Sequence, residues 1–132
     1  MANEAENRNI HVIHESDEPE QPGQVIVDEE VFAMIAAMAA TEVEGVDSMA
    51  GNVTRELIAK LGHNNLAKGV KVELDENQEV SVYVSMNIKF GYNIPDVAGK
   101  VQDRIKSSIE SMVGFNVKQV NIKIAGVIVE ED

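Results

Sequence analysis

The stretch Gly91-Tyr-Asn-Ile-Pro-Asp-Val-Ala-Gly-Lys-Val-Gln-Asp-Arg-Ile-Lys-Ser-Ser-Ile-Glu-Ser-Met-Val-Gly114, running on to Ala125, decides the fold. Its apolar residues Ile94, Val97, Ala98, Val101, Ile105, Ile109, Met112 and Val113 recur every three or four positions, which draws one stripe down a helix. Asn93 is placed to cap the first turn, with Asp96 standing where a capping box usually has Glu. Pro95 falls in that turn, where its missing N–H has no helical partner to lose. Gly114 supplies the left-handed residue that ends the helix. Beyond it Val120, Ile122 and Ile124 alternate with Asn121 and Lys123, the period of a half-buried strand. The unit is a helix laid on a sheet by the strand that follows it.

Working back from this unit, Val80, Val82, Val84 and Met86 alternate with Ser81, Tyr83 and Ser85, and Val70, Val72 and Leu74 alternate with Lys71 and Glu73. Joined by Asp75-Glu-Asn-Gln, the two runs read as a hairpin. Asn52 is placed to cap a short helix, Val53 to Leu61, and Glu42 to Gly51 reads as an extended segment leaving an earlier helix. That helix, from Glu29 to about Thr41, follows a short strand Val25-Ile-Val and is capped by Asp28. Its run Val31-Phe-Ala-Met-Ile-Ala-Ala-Met-Ala-Ala is apolar almost all round. Such a helix is central to a core or covered on a second side by another element or chain. Phe32, Met34 and Met38 are therefore candidate oligomer contacts, weighed against plain core filling. The fold class predicted is α+β: a two-layer sandwich in β-α-α-β-β-α-β order, with helices packed on one face of a small mixed sheet. The open face should display Lys71, Glu73, Ser81, Tyr83, Ser85, Asn121 and Lys123, a polar surface suited to contact.

The charge is −12, unevenly spread. Residues 1–45 hold eleven acids against Arg8 alone, and the remainder is nearly balanced, with twelve acids and ten bases. The domain division expected is a flexible acidic tail over 1–24, one folded domain over 25–128 and an acidic end over 129–132. Within the tail, Ile10, Val12 and Ile13 are able to add a short strand to a sheet edge. An acidic chain with two tyrosines and no tryptophan is poorly suited to binding phosphate backbones or an anionic bilayer. The absence of cysteine removes disulfides, thiolate zinc sites and a cysteine nucleophile. With no basic n-region or apolar h-region at the N-terminus and no run near the ~20 apolar residues of a membrane span, a cytoplasmic location is expected.

The pattern of reactive residues is sparse. His11 and His14 lack clustered ligands, His63 stands alone beside Asn64 and Asn65, and neither phosphate loop nor nucleophile elbow is present. Asp75-x-Asn77 lacks the glycine and final Glu of a calcium loop. The carboxylates are expected to keep ordinary pKa values, Glu42 and Glu44 to serve structure, and Lys100, Arg104 and Lys106 to form a solvated face. No catalytic group, cofactor, metal or small-molecule substrate is expected.

The motifs Glu42-Val-Glu-Gly-Val, Gly69-Val-Lys-Val, Gly91-Tyr-Asn-Ile-Pro-Asp-Val-Ala with Val101-Gln102 and Ile109-Glu110-x-Met112-x-Gly114, and Val120-Asn-Ile-x-Ile-x-Gly126-Val127, together resemble the alkaline shock protein family, the envelope stress response proteins of Gram-positive bacteria. The likeness spans roughly Gln24 to Val127. It implies a small cytoplasmic, non-enzymatic protein that self-associates, is held near the membrane by a separate membrane-anchored protein partner, and serves cell-envelope stress homeostasis. It carries over no catalytic residue, and the acidic tail lies outside the shared pattern. The element order is also similar to ring-building modules of secretion and sporulation assemblies, a likeness of fold alone. The alternative reading is a small RNA-binding α+β domain, opposed by the acidity and by Tyr83 being the sole stacking residue on the open face.

Overall fold

The computed structural model describes residues 10–14, 22–61 and 69–130, with no side-chain description for 10–14 and 61. The elements run β1 (Ile10–His14), β2 (Val25–Asp28), α1 (Glu29–Thr41), β3 (Val46–Met49), α2 (Arg55–Leu61), β4 (Val70–Leu74), β5 (Val80–Lys89), α3 (Ile94–Val113) and β6 (Val117–Ile128). The predicted α+β order holds, with β1 and β3 added to it. β1 pairs with β2 antiparallel in a sheet of its own and does not join the main sheet.

The main sheet is built around β5. Ser85 N–H donates to Gly69 O at 2.8 Å, Ala50 N–H donates to Ser85 O at 2.9 Å, and Lys89 N–H donates to Gly45 O at 2.8 Å. In an extended strand the N–H and C=O of one residue point to the same side. β4 and β3 therefore lie end to end along one edge of β5, both antiparallel to it. β6 runs parallel along the other edge. Parallel neighbours need a crossover, and α3 is that crossover.

α3 forms as its pattern predicts. Asn93 Oδ1 accepts from Asp96 N–H at 2.9 Å, and Gly114 closes the helix at φ +88°. Val97, Val101, Ile105, Ile109 and Val113 are buried, four residues apart along one line. Ile94 and Met112, read as part of the stripe, are exposed at the two ends of the helix. α1 packs against α3, α2, β3 and β4, and the Phe32 ring meets Phe115 edge-on, centroids 5.4 Å apart. These side chains and the inward row Val80, Val82, Val84, Met86 and Ile88 form one core. Each large side chain so buried contributes on the order of 1.5–3 kcal/mol.

Two helix starts differ from expectation. Asp28 occupies the N-cap of α1 with an extended backbone but its side chain makes no capping hydrogen bond. α2 begins at Arg55, because Val53 bridges back to Met49 and Asn52 takes a left-handed φ of +63° in the turn. Thr54 Oγ1 accepts from Leu57 N–H at 3.4 Å in place of the Asn52 cap. None of the described helices is long and apolar enough to cross a membrane.

Candidate functional site

Two surfaces stand out, and the sequence predicts one of them. The strand register puts Lys71, Tyr83 and Asn121 in one row across the sheet, and Glu73 with Ser81 and Ser85 with Lys123 in the rows on either side. All seven lie on the face away from the helices, four exposed and three half-buried. Between them runs a shallow open groove of about 400 Å³, its walls including Lys71, Tyr83, Asn121 and Lys123. Lys71 Nζ sits 6.0 Å from the Tyr83 ring centroid and 3.2 Å from Glu73 Oε2. Asn121 Nδ2 donates to Val82 O at 3.3 Å. Farther along, the face closes over: Asn87 and Ser48 are buried, and Asn87 Nδ2 donates to Ser48 Oγ at 3.0 Å. The groove offers polar contacts of both charges but no convergent set of reactive groups.

The candidate oligomer contacts separate. Phe32 is wholly enclosed against Phe115 and presents nothing to a second chain. This corrects its candidacy as an oligomer contact in favour of core filling, because its side of α1 is consumed by the core around Phe115. Met34 and Met38 are half-buried against the same core.

The second surface lies at the C-terminal ends of the parallel strands. Phe90 is 70% exposed and Val129 62%, and Tyr92, Ile94 and Val127 add further exposed apolar area beside them. Together they line a depression of about 440 Å³. The sequence carried a signal that went unread: two of its five aromatic residues, Phe90 and Tyr92, flank Gly91 in a turn.

This corner is fixed by the motif around Glu42. Gly45 has φ +102°, and a β-carbon there would stand 2.8 Å from Val97 Cγ2 and 2.9 Å from Tyr92 Cδ2. Only glycine leaves room for the Tyr92 ring at that approach. Tyr92 OH donates to Glu44 Oε2 at 3.1 Å, and this charged acceptor holds the phenol above its ordinary pKa. Glu42 spans Arg104 at 3.0 Å and Arg55 at 3.2 Å, clamping α3 to α2. The expected structural part for Glu42 and Glu44 thus has its geometry, and Arg104 is ion-paired where the sequence suggests only a solvated face. Being exposed, such pairs are worth under about 1 kcal/mol each.

Two carboxylates depart from the ordinary pKa values expected of them, both downward. Glu79 N–H donates to Asp75 Oδ1 at 3.0 Å and is the main cause there, joined by Asn77 N–H at 2.9 Å and by Lys118. Val117 N–H donates to Glu110 Oε2 at 2.9 Å and is the main cause for Glu110, with Lys106 assisting. Both serve the framework: one closes the β4–β5 turn, the other ties the last turn of α3 to the first residue of β6. His63 lies outside the described residues, and the side chains of His11 and His14 are not described. Among the described residues no cluster of His, Asp and Glu is arranged to hold a metal.

No solved structure matches this chain. Among curated proteins, it is 38% identical over 106 residues to the uncharacterised protein YqhY of Bacillus subtilis, covering 80% of this chain and 77% of that one. It is 31% identical over 107 residues to YloU of the same organism, also uncharacterised, covering 80% of this chain and 88% of the relative. A stress response regulator gls24 homolog of Streptococcus pyogenes is 24% identical over 110 residues, covering 83% of this chain and 61% of the relative. The profile of the alkaline shock protein 23 family, described as having a cell envelope-related function, matches residues 17–129. With that match over nearly its whole length and the meeting of its Glu42–Val46 and Gly91–Ala98 motifs at one corner, the chain belongs to the alkaline shock protein 23 family.

Proposed function

We propose that this chain is a non-enzymatic, stress-related protein of the cytoplasmic side of the cell envelope. It works by associating with itself, by docking to a membrane-anchored protein partner, or by both. The observation that carries the reading is the apolar corner, where Phe90, Tyr92, Ile94, Val127 and Val129 are exposed side by side. A contiguous exposed apolar patch on a small protein marks a place where another macromolecule sits. The family's cell envelope-related description and the relative called a stress response regulator supply the physiological setting. The open sheet face, with Lys71, Tyr83 and Lys123, offers a second and more polar contact surface for the same kind of partner.

Two measurements test the proposal. Light scattering at tens of micromolar should give a mass above the 14.4 kDa of one chain. Sedimentation with membranes from a Gram-positive cell should carry the protein down, while vesicles of the extracted lipids alone should not, because the anchor is a protein. Phe90→Ser with Val129→Ser should weaken whichever association is found. A strict monomer that ignores both membranes and vesicles overturns the reading. Sedimentation with the lipid vesicles would replace the protein partner by a lipid surface.

A further inference from the structure

We infer that the outer edge of β6 is the surface through which two copies of this chain join, as an antiparallel pair that makes one continuous sheet. The inference deepens the self-association half of the proposed function and rests on it. The argument begins with the direction of backbone groups. Val80 N–H donates to Asn116 O and Phe90 N–H to Ile128 O, each at 2.8 Å, so the even-numbered residues of β5 bond toward β6. In a parallel ladder, the residue directly opposite such a donor turns its own N–H and C=O away. The register sets Val82 opposite Val120, Val84 opposite Ile122, Met86 opposite Ile124 and Ile88 opposite Val127. Those four β6 residues therefore point their backbone groups off the sheet. Gln102 Nε2 reaches Val120 O from that side at 3.1 Å, which agrees with the assignment and closes the edge at Val120. From Ile122 to Val127 no strand among the described residues pairs with it.

A long open edge is a template for another strand, and the pattern of β6 selects a second copy of itself. Setting Ile122 opposite Val127 of the other copy, by a two-fold axis between them, places outward backbone against outward backbone in both directions. The same register keeps faces together, with Asn121 opposite Ile128 and Lys123 opposite Gly126 on the open face. On the helix face, half-buried Ile122 meets Val127, which is 47% exposed. Charge agrees as well: Lys118, whose ammonium lies 3.7 Å from Asp75 Oδ2, comes within one position of Glu130 of the other copy. An overlap centred on Ile122 instead loses phase at the bulge between Ile124 and Gly126. A two-fold pairing of this kind is self-complementary and closed.

The test uses the full chain. Val127→Pro removes an N–H that points outward and so leaves the β5–β6 ladder whole, which is where a sheet tolerates proline. The expected result is a wild-type dimer of twice 14.4 kDa, and a Val127→Pro chain of half that mass with an unchanged circular dichroism spectrum. Because the natural chain has no cysteine, register is read by mixing Ile122→Cys with Val127→Cys chains. A disulfide should form in the mixture and in neither chain alone. A dimer that survives Val127→Pro, or a disulfide formed by Ile122→Cys alone, overturns the edge pairing while leaving self-association standing. A wild-type chain that stays monomeric removes both, and leaves the membrane experiment to decide partner docking.

Discussion

β5 and β6 are neighbouring strands with the same alternation of apolar and polar residues, yet they end in different environments. Along β5, Val80, Val82, Val84, Met86 and Ile88 are at most 2% exposed. Of their register partners on β6, Val117 is buried at the start of the strand, but Val120, Ile122 and Ile124 are half-buried, and Val127 is 47% exposed. The cause is position: β5 has strands on both edges and helices beneath it, while β6, among the described residues, pairs with a strand along one edge and packs against α3. Alternation reports which face a residue takes, and says nothing of whether its strand is central or at an edge.

The largest expected effect sharpens that contrast. Ile88→Ala empties a wholly enclosed site and should lower unfolding free energy by about 3 kcal/mol or more, read by urea denaturation at low protein concentration. Gly45→Ala should follow, at about 2–3 kcal/mol, from left-handed backbone strain together with contact on Val97 and Tyr92. The same change should expose the Tyr92 phenol to faster chemical modification. Ile124→Ala, on the edge strand, should cost only about 1 kcal/mol in the dilute monomer. A loss equal to that of Ile88→Ala would erase the distinction between the two strands.

Acid provides a further probe, because both shifted carboxylates fasten the start of β6 or the turn beside it. Asp75 and Glu110 have folded-state pKa values below their ordinary ones, so the unfolded chain takes up protons first as pH falls. Their contribution is complete above the ordinary carboxylate range and is lost as pH drops through the folded values. Thermal midpoints should therefore decline from about pH 5 toward pH 3, and Glu110→Gln should flatten that decline. The smallest effect belongs to the exposed clamp: Arg104→Ala should cost less than about 1 kcal/mol, and salt should mask it.

Much of the architecture was legible because short-range rules govern it. Asn93, Pro95 and Gly114 mark the limits of α3, and the alternating valines mark β4 and β5. The family likeness, too, is carried by local motifs. What the sequence left unread depends on distant packing. Phe32 looks like surface on an isolated helix and becomes core only when Phe115 returns beside it. Val53 looks helical until Met49 draws it into a bridge. The lowered pKa of Glu110 needs Val117 N–H, seven residues on across a chain reversal. The exposure of Phe90 follows from where β5 stops and that of Val127 from the edge position of β6, and the pattern within either strand does not disclose it.

Amide hydrogen exchange, followed residue by residue as protein concentration rises, puts the account to its most direct test. The prediction is that Ile122 and Val127 exchange rapidly in the dilute chain and become protected together as concentration increases, while the β5 amides of Val82 and Val84 stay protected throughout. Outward β6 amides whose exchange is indifferent to concentration, in a chain that still associates, would contradict it.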